Sequence, residues 1–221
     1  MEISIIRFPG TNCEVDTYNA IKKVLGITSK ILSCKDTTIP KSDLIIIPGG
    51  FSYGDYLRSG AIAAREPIMS DLIKKAKNGV NILGICNGFQ ILTECNLLPG
   101  VLLKNNTLKF ISKITNIQVT RNDTFFSKDY DKNQSVKIPV AHHDGNYFVD
   151  QKTLKKIEQN EQVAMRYAEP INGSLNNIAG LYNDKFNILG MMPHPERAID
   201  TQTGTDDGIK LFQSMLKSMS L

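Results

Sequence analysis

The chain has 221 residues, of which 41% are hydrophobic and 22% charged, and its formal net charge is +4. This is the length and balance of an ordinary globular chain with one hydrophobic core, which we read as a single domain over 1–221. Neither a membrane nor a nucleic-acid partner is expected: no apolar run nears the roughly 20 residues of a membrane helix, and no basic block appears.

The start, MEISIIRFPG, turns polar too early for a signal peptide. Cys13, Cys34, Cys86 and Cys95 lack the CxxC spacing of a metal site, so reduced thiols in the cytoplasm are expected.

In chain order, Ile3 to Phe8 is a strand-length run stopped by Pro9-Gly10. Residues 14–25 place Val15, Tyr18, Ile21, Lys22 and Leu25 at helical spacing, with Gly26 as the stop. A second strand spans Ser29 to Ser33. Asp43 to Ile47 is continuously apolar, as in a parallel strand buried on both faces, and runs into Pro48-Gly49-Gly50. Residues 61–78 read as helical with a break at Pro67, and Asn81 to Ile85 as a strand leading into a helix. Beyond Pro99-Gly100, strands are predicted from Lys109 to Ile117, Ser135 to Val140 and Tyr147 to Val149, extending or flanking the central sheet. A short amphipathic helix over 152–160 precedes strands at Val163 to Tyr167, Ile178 to Tyr182 and Asn187 to Met191. A last helix runs from Asp207 to Met219 with Ile209, Leu211, Phe212, Met215 and Leu216 facing inward. The alternation predicts an α/β fold: a doubly wound, mostly parallel sheet flanked by helices, flavodoxin-like, with additional antiparallel strands. Ligands are then expected at the carboxyl ends of the strands.

Three motifs fall at such ends. Gly84-x-Cys86-x-Gly88 is the cysteine form of a nucleophile elbow, where glycines let the two arms of a tight strand-to-helix turn approach. A thiol there sits at a helix N-terminus, which favours the thiolate, and the Asn87 amide can face a developing oxyanion. A buried structural cysteine is the alternative. In PHPER, Pro193 and Pro195 push Met192 and His194 towards extended geometry, where residues two apart share a side. Glu196 can then orient His194 while the other ring nitrogen faces Cys86, giving a nucleophile, base and orienter. A loop histidine with a chance carboxylate neighbour is the alternative. A zinc-deaminase reading of H-x-E requires a later P-C-x-x-C, and no cysteine follows Cys95, so no metal is expected. Gly49-Gly50 can expose backbone amides for an oxyanion hole or be a plain turn; no G-K-[ST] follows to make it a phosphate loop.

Gly-x-Cys-x-Gly-x-Gln with a late His-Pro-Glu resembles the class I (triad) glutamine amidotransferases. RFPGTNCE at 7–14, PGGFSYGDYLRSGAIA at 48–63, GICNGFQ at 84–90, the His142 segment and MMPHPER at 191–197 are similar, within that family, to the glutaminase subunits of phosphoribosylformylglycinamidine synthase. These motifs spread over nearly the whole chain. The resemblance implies that Cys86 attacks the side-chain amide of L-glutamine, releases ammonia and leaves a thioester that water hydrolyses. It casts His194 as acid and base and Glu196 as its orienter. It puts the Gly50 and Asn87 amides at the oxyanion, and Phe51 and Gln90 near the bound glutamine. It implies no cofactor in this chain; ATP and magnesium belong to a large synthetase subunit, which makes an amidine of formylglycinamide ribonucleotide, with a small accessory subunit beside it. Alternatives are a glutaminase of another pathway, against which PGGFSYGDYLR argues, and a stand-alone cysteine hydrolase or a non-enzymatic module on the same fold. One departure is visible: His143-Asp144 stands where the family has a glycine–glutamate pair.

Overall fold

Strands that are apolar on both faces need helices over both, and the chain supplies them by alternation. In the computed structural model, which describes residues 1–219, β1 (Ile3–Arg7), α1 (Glu14–Leu25), β2 (Ser29–Ser33), β3 (Leu44–Ile47), α2 (Pro67–Lys77), β4 (Asn81–Ile85) and α3 (Asn87–Glu94) come first. They are followed by β5 (Val101–Leu103), β6 (Ile111–Val119), β7 (Ser135–His142), β8 (Asn146–Phe148) and α4 (Gln151–Gln159). β9 (Val163–Tyr167), β10 (Ile178–Tyr182), β11 (Ile188–Met191) and α5 (Ile209–Met219) come last.

The main sheet has nine strands in the order β2-β1-β3-β4-β11-β10-β9-β6-β7. From β2 to β11 all neighbours are parallel, and from β11 to β7 all are antiparallel. This is the doubly wound parallel core with antiparallel strands added that the sequence predicts. β1 lies between β2 and β3, so the winding reverses there, and right-handed crossovers place the helices on either side of it on opposite faces. All four residues of β3 are fully buried, as that double cover requires.

Helix ends follow local chemistry. Gly26, at φ 69°, closes α1 with its N–H on the Lys22 carbonyl. Pro67 opens α2, where its missing N–H leaves no bond unmade. The Asp150 carboxylate caps α4 by accepting from Thr153 N.

Three expectations are corrected. The buried stripe of α1 is Thr17, Ala20, Ile21 and Leu25; Ile21 and Leu25 of the expected face are inside, but Val15 is 56% exposed. β8 does not join the main sheet; it pairs antiparallel with the short β5, which the sequence reading lacks. On α5, Leu211, Phe212 and Met215 are buried, while Leu216 faces outward.

The register sets the site. Ile47 lies opposite Gly84, and Ile85 opposite Met191, so Gly49, Cys86 and Met192 leave the sheet at one level. Behind Cys86, α3 folds back so closely that a Cβ on Gly88 would sit 2.0 Å from the Ile47 carbonyl oxygen. A Cβ on Gly84 would lie 2.7 Å from the Gly88 carbonyl carbon. Gly88→Ala therefore has to push α3 off β3. We expect a loss of about 1–3 kcal/mol, read as a fall in Tm of about 2–4 °C for each kcal/mol. An unchanged Tm in thermal denaturation would show that this close approach is not what the elbow requires.

Candidate active site

Cys86 is the N-cap of α3, at φ 50° and ψ −103°. A non-glycine residue there carries strain of roughly 1–3 kcal/mol. It is held by its N–H on the Met191 carbonyl (2.7 Å) and by its own carbonyl, which accepts from Phe89 N (2.9 Å) and Gln90 N (3.2 Å). The thiol lies 3.6 Å from the Ala141 carbonyl of β7, at the positive end of α3. Only 5% of Cys86 is exposed.

His194 follows β11 and is pinned by its N–H on the Pro139 carbonyl (2.8 Å). The extended geometry expected for PHPER is not found. Pro195–Arg197 forms a tight 3₁₀ turn, Pro195 supplying its first residue. Nonetheless the two side chains meet: Nδ1 of His194 is 2.7 Å from Oε1 of Glu196, both residues 2% exposed. With the Nδ1 hydrogen donated to Glu196, Nε2 is left as the acceptor; it has no hydrogen-bond partner among the described residues, and the ring interacts electrostatically with the Cys86 sulfur. Burial pushes the imidazole pKa down, but the Glu196 carboxylate and the Cys86 sulfur outweigh it and hold the pKa well above the usual histidine value. The ring is thus set to take a proton from a thiol.

The glycine loop after β3 stands against this pair. Gly50 bridges Thr11, and a Cβ on it would meet the Gly10 carbonyl oxygen and Thr11 Cα at 2.7 Å. Ser52 N donates to Asn87 Oδ1 (3.2 Å), tying the loop to the elbow. The Phe51 N–H is engaged with the Gly10 carbonyl (2.9 Å), and its ring faces Phe110 at 6.4 Å between centroids. Gln90 is a strut: Nε2 donates to the Asp144 carbonyl (2.7 Å) and Oε1 accepts from Asn87 Nδ2 (2.8 Å). The divergent pair joins the same framework, with Asp144 near His143 Nδ1 (3.2 Å) and accepting from Ser59 Oγ (2.9 Å). Burial and the Asp144 charge push the Asp55 carboxyl up to about 6.

The sequence reading gave no role to two neighbours of the triad, Cys13 and Arg197, which meet at 3.0 Å beside His194. Cys13 lies within RFPGTNCE, and its place at the imidazole follows from β1 lying beside β3. Ligand atoms of Cys13, His194 and Glu196 fall within 4.8 Å of one another, all buried. The guanidinium at the sulfur and the His194–Glu196 bond suit this set to hydrogen bonding and oppose a bound cation. Among the described residues no helix is long and apolar enough to cross a membrane.

Residues 1–215 match the family described as CobB/CobQ-like glutamine amidotransferase domain. The chain is 50% identical over 217 residues, 98% of its length and 96% of the relative's, to the phosphoribosylformylglycinamidine synthase subunit PurQ of Novosphingobium aromaticivorans. It superposes on a chain of the PurLQS structure from Thermotoga maritima with a TM-score of 0.91 and 42% identity, covering 99% of this chain and 98% of that one. A glutamine amidotransferase structure from Thermotoga maritima, at 14% identity and TM-score 0.63 over 99% and 97% of the two chains, shares the fold.

His142 is buried, with Nδ1 on Asn105 Oδ1 (3.1 Å), and burial, followed by the charge of His194, pushes its pKa down from 6.5 to about 4. A lowered folded-state value means that this histidine supports the fold above pH 6.5 and loses that contribution as pH falls through about 4. Histidine NMR titration should find His142 neutral at pH 5. A midpoint near 6.5 would contradict the buried, neutral assignment.

Proposed function

The chain belongs to the glutamine amidotransferase family, and on that premise we propose that it is the glutaminase subunit of phosphoribosylformylglycinamidine synthase, acting through Cys86, His194 and Glu196. The observation that carries the chemistry is the buried His194–Glu196 pair at 2.7 Å beside a cysteine capping a helix. His194 Nε2 takes the Cys86 proton as sulfur attacks the side-chain carbonyl carbon of L-glutamine. The Gly50 and Asn87 amides receive the negative charge on oxygen. The imidazolium then protonates the leaving nitrogen, ammonia departs, and a glutamyl thioester remains on Cys86. His194 next removes a proton from water, which cleaves the thioester to glutamate.

The ammonia serves a large synthetase subunit that converts formylglycinamide ribonucleotide to its amidine. ATP and magnesium act there, this chain having no G-K-[ST] phosphate loop. A small accessory subunit completes the assembly, in the cytoplasm. The low exposure of Cys86 supports control by that partner through movement of a neighbouring loop. The segment Phe51 to Ser59 suits this movement: Tyr53, Asp55 and Leu57 have positive φ, and Tyr56 and Leu57 are 74% and 90% exposed.

Cys86→Ala should reduce glutamine hydrolysis by about 10⁴-fold or more, as loss of a triad nucleophile does, and leave ammonia-dependent synthesis by the complex intact. His194→Ala should lose more than Glu196→Gln, since the orienter exchanges no proton with substrate. Steady-state glutamate release checks both, and glutamine turnover surviving in Cys86→Ala would end the assignment. The same assay on the chain alone should give weak activity, rising about tenfold or more with synthetase, ATP and ribonucleotide substrate, as recovery of a misaligned oxyanion donor allows. Full activity in isolation would reject partner control and leave the triad standing.

A further inference from the structure

Two side chains against the triad take no part in the steps above. Cys13 caps α1 and is 1% exposed. Its thiol donates to Asn12 Oδ1 (3.1 Å) and its sulfur accepts from Arg197 Nη2 (3.0 Å), so both of its hydrogen-bonding capacities are used. Arg197 also reaches Asp16 Oδ2 through Nε at 3.4 Å. Cys13 thus tethers a guanidinium that follows Glu196 directly in the chain.

The same residue touches both halves of the machinery. Its backbone N–H donates to the Gly49 carbonyl (3.2 Å), beside the proposed oxyanion amide of Gly50. A Cβ on Gly49 would lie 2.8 Å from His194 Cε1, 3.4 Å from Nδ1 and 3.1 Å from Cys13 Sγ, so sulfur, imidazole edge and Gly49 close on one point. A ring held by one hydrogen bond at Nδ1 can still swing; a sulfur against its edge prevents that. On the carboxylate, Oε2 of Glu196 is buried and has no hydrogen-bond partner among the described residues. A guanidinium released next to it would pair with it, because an unpaired buried acceptor is costly and an arginine–carboxylate bond is strong. That pairing would draw Glu196 away from His194.

Resting on the glutaminase reading, we propose that Cys13 is a positioning residue: with Asp16 it holds Arg197 off Glu196, and its sulfur fixes the edge of the His194 ring. The imidazole is faced by Glu196 from its own turn, Cys13 from the start of α1, Cys86 from the elbow and His142 from β7. Of these only Cys13 is both in contact with the ring and bonded to the guanidinium.

The test is glutamate release by the reconstituted complex with Cys13→Ala, Cys13→Ser and Cys13→Ala/Arg197→Gln, each checked by thermal melting. Cys13→Ala should lower kcat about tenfold or more with KM within about twofold, the scale of a small loss of alignment. Cys13→Ser, whose hydroxyl can replace both hydrogen bonds, should keep most of the activity. Arg197→Gln added to Cys13→Ala should raise kcat again, since the competitor for Glu196 is gone; this non-additivity is what a space-filling cysteine would not produce. A kcat in Cys13→Ala within about twofold of wild type, a serine variant no better than alanine, or no recovery in the double variant would each overturn the proposal. Should Cys13→Ala not fold, Asp16→Asn in the Cys13→Ser background decides in its place: a fall in kcat supports the tether, and an unchanged kcat overturns it. Cys86→Ala assayed alongside keeps the two readings apart, because activity without Cys86 would remove the glutaminase mechanism whatever Cys13 does.

Discussion

Cys86 occupies a backbone conformation that costs a non-glycine residue roughly 1–3 kcal/mol, and the surrounding fold is what keeps it there. The parallel pairing of β3, β4 and β11 brings three chain segments to one level, and the Met191 carbonyl takes the Cys86 N–H. Gly84 and Gly88 let α3 fold back against β3 with no side chain between them. A relaxed Cys86 would turn its sulfur away from His194 and lose its position at the helix N-terminus. The strain thus sits at the proposed nucleophile, and the offset is spread over a sheet whose strand β3 is wholly buried.

The second constraint is electrostatic. A carboxylate and an imidazole buried together would each lose a great deal of hydration, and their 2.7 Å contact offsets this only while both keep their partners. Glu196 retains a buried oxygen without a hydrogen-bond partner among the described residues, in the turn that carries Arg197, so its pairing with His194 depends on where that guanidinium is held. Cys13, Asp16 and the tight turn at Pro195–Arg197 decide that. Burial and the charge of His194 keep His142 neutral near neutral pH, so it adds no second positive charge beside that ring.

Much of this was legible in the sequence because it is local. Aliphatic runs at Leu44–Ile47 and Asn81–Ile85 announce buried parallel strands, and Gly84 and Gly88 around Cys86 announce a tight turn with a thiol at its apex. The His194–Glu196 partnership was also readable from spacing, although the backbone joins them by a 3₁₀ turn and not by an extended segment. What was not legible depends on which strands become neighbours. Cys13 comes to the imidazole because β1 lies beside β3, and Phe51 spends its amide on Gly10 for the same reason. Val15 is exposed although it is apolar, because the face of α1 that packs inward carries Thr17 and Ala20 beside Ile21 and Leu25. β5 was too short to leave a periodic signal, and its pairing removes β8 from the main sheet.

The central claim is that the strained, buried thiol of Cys86 becomes covalently bound to the substrate. Its most direct test is acid quenching of the complex during glutamine turnover, followed by peptide mass analysis of all four cysteines. The account predicts a glutamyl thioester on the peptide carrying Cys86 and an unmodified Cys13. Turnover with no adduct under conditions that preserve a thioester standard, or an adduct on Cys13 in its place, would contradict it.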